Sequence, residues 1–405
     1  MKIARINAVY GIMSTGRSVQ ELDGYLTAEG HQCISYYGEH KADHGVNVKY
    51  LGTDFSHKLH ALSSRMTGNA GHGSYSSTKR LIKELEEFNP DIIHLHNLHA
   101  NFVHIPLLLN YIARKDIPTV VQLDDCFYFT GGCMHYTANG CDEWKRDCSD
   151  CKFLKRGKHY FFSNRARQNL AEKQRLFQAV PRLAVCGVSE WIANQAKQSP
   201  VFSKAKVITH VYNWIDLDLF KPQGAVSDAA IKKRLGISDR VMLLGVASGW
   251  SENKGLNGFL KIADRLDSRY AVVLVGHMPA NVSLPSNVIH IPATENVGEL
   301  AKFYSAADAF VHLSKEETFG KVIAEALACG TPAIVSNTTA MPELVDKTTG
   351  ETVNPDDTNG IIAALGRINK AECSGACRKR AIENFSLTEN CHQILSVYNS
   401  LLTES

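Results

Sequence analysis

Short apolar runs of strand type alternate with amphipathic segments of helix type along most of the chain. In the first half, the predicted strands are Lys2–Ala8, Asp91–Leu95, Thr119–Leu123, Leu183–Cys186 and Lys206–His210, and the predicted helices are Ser18–Ala28, His104–Ala113, Arg165–Gln178 and Glu190–Gln198. This alternation is typical of βαβ units and of a largely parallel sheet covered on both faces. The pattern predicts an α/β fold.

A break follows at Phe220–Ser227, which is rich in turn formers and lacks an apolar period. The alternation then restarts, with strands at Val241–Ala247, Ala271–Val275, Asp308–Leu313 and Pro332–Ser336 and helices at Leu256–Leu266, Val297–Ser305 and Glu389–Leu402. We predict two Rossmann-like domains, 1–220 and 221–385, facing each other across a cleft, and a terminal helix in 386–405 that packs back on the first domain. Glu39–Ser77, rich in His, Gly and Ser, is predicted to be a long irregular excursion.

Length, net charge and cysteine content exclude some classes of protein but do not indicate a function. The chain has 405 residues, more than one hydrophobic core usually serves, and a net charge of +3 is too small to predict a nucleic-acid partner. Eleven cysteines, an odd and scattered set, fit a reducing compartment better than a disulfide framework. Because the N-terminus has no signal-peptide core and no apolar run is long enough to span a bilayer, we expect a cytoplasmic protein.

The strand Asp308–Leu313 leads through a short loop into the stretch from Glu317 to Glu325. In an α/β sheet such a junction lies at the carboxyl edge, where ligands bind. A helix that begins near Gly320 would direct free amides and its positive dipole end toward a phosphate. Glu325 falls off the apolar face of this helix, so we expect it to be free to accept hydrogen bonds. The alternative is a solvated glutamate pair on a surface helix.

A glycine-containing turn follows the first strand of each predicted domain. In Gly249–Gly255, the glycines allow close backbone approach and Lys254 supplies a point charge for a diphosphate. Gly11–Gly16 departs from the G-x-G-x-x-G dinucleotide motif, although its glycines around small hydroxylated residues, Thr15 among them, would suit a flexible loop over a ligand. Each stretch is equally open to interpretation as an ordinary turn.

Polar side chains close two predicted strands of the first domain. Asp124 or Asp125, after Thr119–Leu123, could accept a hydrogen bond from a sugar hydroxyl, and either could instead cap the next segment. His94 and His96, which close another strand, are interpreted as locally satisfied polar groups.

Two features lie in a loop region of the first domain, 126–160. Four cysteines match a closed structural zinc site, with free thiols or a loop disulfide as alternatives: Cys133, Cys141, Cys148 and Cys151. The stretch Lys152–Arg167 then interleaves cations with aromatic residues, which suits an anionic membrane surface or an interfacial lipid-linked substrate. Single-stranded nucleic acid favours similar chemistry, and a basic solvated loop is the further alternative.

Taken jointly, these motifs resemble those of the retaining nucleotide-sugar glycosyltransferases of family 4, which have the GT-B fold. Glu317 to Glu325 looks like the family's E-x7-E motif, and Lys254-Gly255 looks like its phosphate-contacting pair. The signature before the family's interdomain linker is similar to Asn213-Trp214-Ile215-Asp216 with Phe220 and Pro222. The run from Asp125 through the four cysteines resembles a subgroup that builds bacterial exopolysaccharide, capsule and O-antigen.

The resemblance implies transfer of a hexosyl unit, with retention, from a nucleoside diphosphate sugar to a hydroxyl of a lipid-linked glycan, at the inner face of the plasma membrane. Surface polysaccharide or lipopolysaccharide would be the product. The implied catalytic residues are Glu317, Asp124 and Lys254, and the implied donor-binding residues are Glu325, Gly16, Thr15, Gly249, Thr318, Phe319, Gly320 and Lys321. Because cationic side chains and a helix terminus would neutralise the diphosphate, we expect no cofactor requirement for catalysis.

The chain departs from the family pattern at three positions. Members usually carry an arginine where this chain has Gly249, so one diphosphate contact is missing or replaced, and the adjacent Trp250 is a candidate for reshaping that pocket. A family histidine near the transferred sugar is Asp124 here, and Trp214 replaces a glycine. A non-catalytic nucleotide-sugar or glycan-binding subunit is therefore an alternative function, as is a GT-B epimerase or phosphorylase. Retention of both glutamates and Lys254 argues against the non-catalytic subunit.

Overall fold

The computed structural model describes residues 1–151 and 165–403. Its strands are β1 (Lys2–Asn7), β2 (Gln32–Tyr37), β3 (Val48–Tyr50), β4 (Ile92–Leu95), β5 (Thr119–Leu123), β6 (Leu183–Gly187), β7 (Val207–His210), β8 (Val241–Gly249), β9 (Tyr270–His277), β10 (Val288–Ile291), β11 (Ala309–His312), β12 (Ala333–Ser336) and β13 (Gly350–Val353). Most of the predicted basic and aromatic stretch, and the end of the cysteine-rich loop, lie outside the described residues.

The helices cover the connections between these strands. They are α1 (Met13–Ala28), α2 (Asp54–Thr67), α3 (Tyr75–Phe88), α4 (Ile105–Lys115), α5 (Ala166–Gln178), α6 (Glu190–Lys197), α7 (Ala225–Arg234), α8 (Leu256–Ala263), α9 (Val297–Ala306), α10 (Lys321–Ala328), α11 (Met341–Leu344), α12 (Thr358–Leu365), α13 (Lys370–Asn384) and α14 (Leu387–Thr403). Among the described residues, no helix has both the length and the hydropathy needed to cross a membrane.

Two compact units divide the chain, Met1–Val211 with Cys391–Ser405, and Tyr212–Asn390. The first has a parallel sheet of order β3-β2-β1-β4-β5-β6-β7, and the second a parallel sheet of order β10-β9-β8-β11-β12-β13. The predicted α/β architecture with two Rossmann-like sheets is thus confirmed. In each sheet the strand order reverses beside the first strand, so β1 with β4, and β8 with β11, flank a switch point of the kind where ligands bind.

Buried polar groups tie the first unit together around β1. Arg5 is fully buried and its guanidinium donates to Asp23 of α1 at 2.5 Å, while the Ser35 hydroxyl of β2 donates to the other carboxylate oxygen at 2.6 Å. Helix α14 joins the same unit, because the Tyr398 hydroxyl lies 2.7 Å from His94 Nδ1 on β4. These pairings satisfy charges that would be costly to bury alone.

The segment that resembles the pre-linker signature packs on the second unit. The amide of Ile215 donates to the Phe385 carbonyl at 2.9 Å, and the Arg378 guanidinium donates to the Phe220 carbonyl at 2.7 Å. The compact units consequently divide after residues 211 and 390, whereas the sequence suggested limits after residues 220 and 385.

The prediction of an irregular excursion over Glu39–Ser77 is wrong. This region contains β3, all of α2 and the first residues of α3. A capping box starts α2, in which the Thr53 side chain accepts from the Ser56 amide at 3.1 Å and the Ser56 side chain accepts from the Thr53 amide at 3.0 Å. The His, Gly and Ser content of this region hides a helical period in the sequence, the spacing i, i+4, i+7, i+11 that is followed by Phe55, Leu59, Leu62 and Met66.

Candidate active site

Three side chains converge at the carboxyl ends of β8 and β11 in the second unit. Lys254 Nζ lies 2.6 Å from Glu317 Oε1, and His312 Nε2, at the last residue of β11, lies 3.3 Å from the same oxygen. We call Lys254, His312 and Glu317 the Glu317 cluster. The structure therefore brings together two of the predicted catalytic residues and adds a histidine that sequence reasoning had treated only as part of a strand.

Close backbone packing holds the two loops of this cluster together. Gly255 has φ +78°, and a Cβ there would lie 2.3 Å from the Leu313 carbonyl oxygen. The Lys315 amide donates to the Asn253 carbonyl at 2.8 Å. A glycine is needed at 255 because no side chain fits between these backbones. The Lys-Gly step is a turn, as its plainer interpretation held, and this turn places Lys254 against Glu317.

The environment of Glu317 keeps its carboxylate ionised. Burial by itself would raise the pKa of Glu317, but the hydrogen bond and charge of His312 and the charge of Lys254 outweigh it and lower this pKa to about 2. A carboxylate of such low pKa is a poor proton acceptor near neutral pH. Glu317 can therefore contribute negative charge and hydrogen-bond acceptance, and it is unsuited to general acid–base work.

Helix α10 begins immediately after the Glu317 loop. Gly320 is its N-cap with φ +98° and, being glycine, brings no capping side chain. Phe319 is buried and packs with ring centroids 5.9 Å from Tyr212 and 5.6 Å from Phe385, which anchors the loop. Of the predicted donor residues here, Phe319 thus offers a backbone group only. Thr318 and Lys321 are half-buried beside it.

Glu325, expected to be free to accept hydrogen bonds, is buried on α10 and already accepts one. Its residue is 7% exposed, and the Tyr304 hydroxyl of α9 donates to its Oε2 at 2.9 Å. The physical reason is that α10 packs against both α9 and α13, so little of its circumference reaches solvent. A buried carboxylate with a fixed hydrogen-bond donor is also unlike a solvated surface glutamate, the alternative interpretation. Its predicted role in donor binding stays a prediction.

Gly249 and Trp250 differ sharply in their surroundings. A Cβ built on Gly249 meets no heavy atom within 4 Å, so the position that carries an arginine in the family opens into free space. Trp250 is 4% exposed, its indole N–H donates to the Val275 carbonyl at 3.2 Å, and its ring packs on Phe259 at 5.1 Å. Trp250 is therefore a core residue rather than part of a pocket wall.

In the first unit, Gly11–Gly16 forms a tight βα turn. Helix α1 already begins at Met13, so Thr15 and Gly16 lie in its first turn, and the Gly11 amide donates to the Gly16 carbonyl at 2.9 Å. A Cβ on Gly16 would lie 3.0 Å from Val9 Cγ2. The plainer of the two interpretations, an ordinary turn, describes the observed backbone. Contact of Thr15 and Gly16 with a donor stays a prediction.

Two His–Asp pairs stand at the carboxyl ends of β4 and β5. Asp125 accepts from the Phe127 amide at 2.8 Å and lies 2.7 Å from His99 Nε2, so this carboxylate fixes the local turn. Asp124 Oδ2 lies 3.5 Å from His96 Nδ1, and both side chains are less than a tenth exposed. The two carboxylates thus have different tasks, and Asp124 is the one that remains a candidate for substrate contact.

His94 and His96, interpreted as locally satisfied polar groups, each meet a partner that is distant in sequence. His94 bonds the Tyr398 hydroxyl, and burial keeps its pKa well below the usual value, so it is neutral. His96, by contrast, faces Asp124, and its ring centroid lies 4.3 Å from that of His94. His96, His99 and His312 were missed as site residues. Their shared signal was position, at or just beyond the carboxyl end of a strand beside a switch point.

The four cysteines line one cavity, with Thr130, Tyr136 and Trp144 among the other lining residues. Burial and the neighbouring sulfurs raise the pKa of Cys133 to about 12 and that of Cys148 to about 11. Within the part of the chain that the structure describes, no group of three or more His, Cys, Asp or Glu side chains is arranged to hold a metal ion. The zinc site at Cys133, Cys141, Cys148 and Cys151 stays a prediction, and none of these four cysteines forms a disulfide.

Comparison with protein families decides the assignment. A model described as Glycosyltransferase Family 4 matches residues 15–219, and a model described as Glycosyl transferases group 1 matches residues 240–370. The chain belongs to glycosyltransferase family 4. The first match covers the His–Asp pairs and the second covers the Glu317 cluster and α10.

Relatives of this family-4 chain differ in what they are named for. It is 27% identical over 232 residues to N-acetyl-alpha-D-glucosaminyl L-malate synthase of Bacillus anthracis, covering 54% of this chain and only 58% of that protein. It is 20% identical to the putative colanic acid biosynthesis glycosyl transferase WcaC of Escherichia coli K12, covering 73% and 71%. It is 25% identical to an uncharacterized 41.2 kDa protein in the cps region of Klebsiella pneumoniae, covering 79% and 82%.

Solved structures share the fold of this chain over its whole length. Sucrose-phosphate synthase from Thermosynechococcus elongatus superposes with a TM-score of 0.69 at 16% identity, covering 100% of both chains. Anabaena Alr3699/HepE, in complex with UDP and glucose, superposes with a TM-score of 0.64 at 15% identity, covering 99% of this chain and 100% of that one. Two Rossmann-like sheets and these neighbours assign the GT-B fold class.

Proposed function

We propose that this family-4 glycosyltransferase moves a hexosyl unit from a nucleoside diphosphate sugar to a hydroxyl of a lipid-linked glycan, with retention of anomeric configuration. The observation that carries the proposal is the Glu317 cluster, where Lys254 and His312 share one carboxylate oxygen directly before the start of α10. An ionised carboxylate and a cation side by side suit a ligand that has both hydroxyls and phosphates.

On the donor side, the departing diphosphate is the charge that must be stabilised. Lys254 is about a third exposed, so its ammonium can turn from Glu317 to a phosphate, and the amides at the start of α10 supply dipoles of the same sign. Glu317 would then accept hydrogen bonds from sugar hydroxyls. Glu325, held by Tyr304, would accept from ribose hydroxyls. We propose that these cationic groups neutralise the diphosphate without a required cofactor.

The proposed step breaks the bond between the anomeric carbon and the β-phosphate oxygen and forms a bond from that carbon to the acceptor oxygen on the same face. The acceptor proton passes to the leaving phosphate. This route needs no side chain as base, which agrees with the low pKa of Glu317. Asp124, with Thr15 and Gly16 in the same unit, is proposed to contact the transferred sugar.

The proposed class of acceptor is based on what the relatives are named for. WcaC is named for colanic acid biosynthesis, and the Klebsiella pneumoniae relative is named for its place in a cps region. HepE was solved with UDP and glucose. By analogy, we propose a glycan acceptor of surface polysaccharide synthesis, such as exopolysaccharide or O-antigen, and peripheral contact with the inner face of the plasma membrane.

The proposal is tested by measuring transfer of a radioactive label from the donor to the acceptor. The protein is incubated with radiolabelled nucleotide sugars and a lipid-linked acceptor, and label should enter the lipid fraction. Glu317→Ala should abolish this transfer while leaving the fold intact by circular dichroism. The matched control is Glu351→Ala, which removes a glutamate of the same unit whose carboxylate pairs with Arg367 at 2.6 Å.

Each other result would contradict the proposal in a recognisable way. Nucleotide binding without any turnover would indicate a binding subunit. Release of label as sugar phosphate would indicate a phosphorylase, and conversion of the donor without an acceptor would indicate an epimerase. Equal loss of transfer in Glu317→Ala and Glu351→Ala would separate the activity from the Glu317 cluster.

A further inference from the structure

Helix α2 carries its apolar stripe on the outside of the protein. Phe55 is 76% exposed, Leu59 57%, Leu62 52% and Met66 49%. These residues follow the spacing i, i+4, i+7, i+11, and at about 100° per residue they fall within an arc of roughly 60°. We call these four side chains the outward face of α2.

The opposite side of α2 is polar and buried, so the helix is inverted relative to an ordinary surface helix. His60 accepts a hydrogen bond at Nε2 from the Gly73 amide at 2.8 Å, and its Nδ1 lies 3.0 Å from the Ser74 hydroxyl. Ser64 donates to the Asn101 side chain at 3.1 Å. Burial lowers the pKa of His60 to about 4, so these bonds are made by a neutral ring. Hydrogen bonds therefore fix the helix with its apolar side chains outward.

The border on one side of the outward face carries two cations and one carboxylate, a net positive charge. Lys58 and Arg65 are exposed and project about 60–80° to one side of the stripe, and Ser56 and Ser63 lie on the other side. Asp54, the acidic residue of the helix, lies in its first turn and accepts from the Tyr50 hydroxyl at 2.7 Å. Long apolar side chains beside lysine and arginine are the composition of helices that lie in a lipid interface.

We propose that the outward face of α2 docks on an anionic lipid bilayer. The apolar side chains would enter the boundary between headgroups and acyl chains, and Lys58 and Arg65 would meet lipid phosphates. A bilayer accepts a convex stripe without a complementary groove, and the cationic border matches an anionic surface. The inference deepens the proposed function, because it names the element that brings the enzyme to a lipid-linked acceptor.

Vesicle sedimentation tests the proposal without donor or acceptor, so its outcome is independent of glycosyl transfer. The full chain should bind vesicles that contain phosphatidylglycerol and bind phosphatidylcholine vesicles at least tenfold more weakly. Leu59→Gln with Leu62→Gln should weaken binding to the anionic vesicles by about tenfold or more. Lys58→Gln with Arg65→Gln should weaken it by about thirtyfold.

The matched control is Val226→Gln with Ile382→Gln, which removes two exposed apolar side chains (88% and 47%) from helices of the second unit and should leave binding unchanged. Binding of the Leu59→Gln, Leu62→Gln protein equal to that of the wild type would overturn the proposal. So would a dimer in light scattering that this pair of changes dissociates, because a second copy would then be the occupant. Unchanged transfer to a soluble acceptor analogue would show that the changed residues serve docking rather than catalysis.

Discussion

From the ion pairs of the Glu317 cluster we predict how the stability of the second unit depends on pH. Replacing Glu317 by Gln keeps the shape of the side chain but removes the charge that faces Lys254 and His312. The pKa of Glu317 falls from 4.5 to about 2 in the folded protein. At about 1.4 kcal/mol per pKa unit, the ionised carboxylate stabilises the second unit by about 3 kcal/mol at neutral pH.

The pH range in which Glu317 stabilises the folded protein follows from the direction of its pKa shift. A lowered pKa gives stability that is fully present above the unfolded-state value of 4.5 and is lost as the pH falls through about 2. The difference in unfolding free energy between wild type and Glu317→Gln should therefore be largest near pH 7 and decrease to roughly half near pH 3. At still lower pH the wild-type carboxyl is protonated and the two proteins become alike.

Hydrogen exchange by mass spectrometry is the suitable assay, because a chain with two compact units need not unfold in one step. Peptides from β11 and α10 report the free energy of opening near the cluster. Glu351→Gln is the control, since the exposed pair with Arg367 should contribute no more than about 1 kcal/mol.

Two results would refute the reasoning. Equal losses in Glu317→Gln and Glu351→Gln would show that the buried pairing adds nothing beyond a surface ion pair. A loss in Glu317→Gln that stays constant from pH 7 to pH 3 would show that packing, rather than charge, is responsible.

Three further predictions concern single residues of the candidate site and its surroundings. Gly255→Ala should destabilise the second unit by at least about 2 kcal/mol, because of its positive φ and the Leu313 carbonyl, whereas Gly249→Ala should change the unfolding temperature little. Gly249→Arg has open space and should lower the KM for the nucleotide sugar by about tenfold, as measured by initial rates, with Gly249→Gln as the uncharged control. Asp124→Asn should lower kcat by about a hundredfold and His96→Gln by less; equal losses would argue against direct contact by Asp124.

Strands and helices with strong periodic patterns were predictable from sequence. The inner strand β5 has the predicted limits, Thr119–Leu123, because a strand buried on both faces is a mostly apolar run between turn signals. The edge strands β3, β10 and β13 were missed, since runs of three or four residues leave little period to detect. Helix α2 was missed for a different reason, because the many His, Gly and Ser residues of its region hide the helical spacing of its apolar side chains.

The candidate site was predictable residue by residue but not as a set of contacts. Lys254 and Glu317 were each recognised from local motifs, although 63 positions separate them and nothing local indicates that their side chains meet at 2.6 Å. Lys254 reaches Glu317 because β11 pairs with β8 in one particular register, which brings the loops that follow these two strands together. Register is a property of the whole sheet, so a single-sequence pattern does not contain it.

The effect of each departure from the family pattern can be inferred only from the surroundings of the residue in the structure. Gly249 removes a side chain and leaves open space, so the lost arginine has no local replacement at that position. Asp124 also removes a family side chain, a histidine, but an imidazole is still present 3.5 Å away, on His96 of the neighbouring strand. The two substitutions look alike in sequence. The first should weaken donor binding, because a cation is gone, and the second should alter how an imidazole and a carboxylate are arranged, because both groups remain.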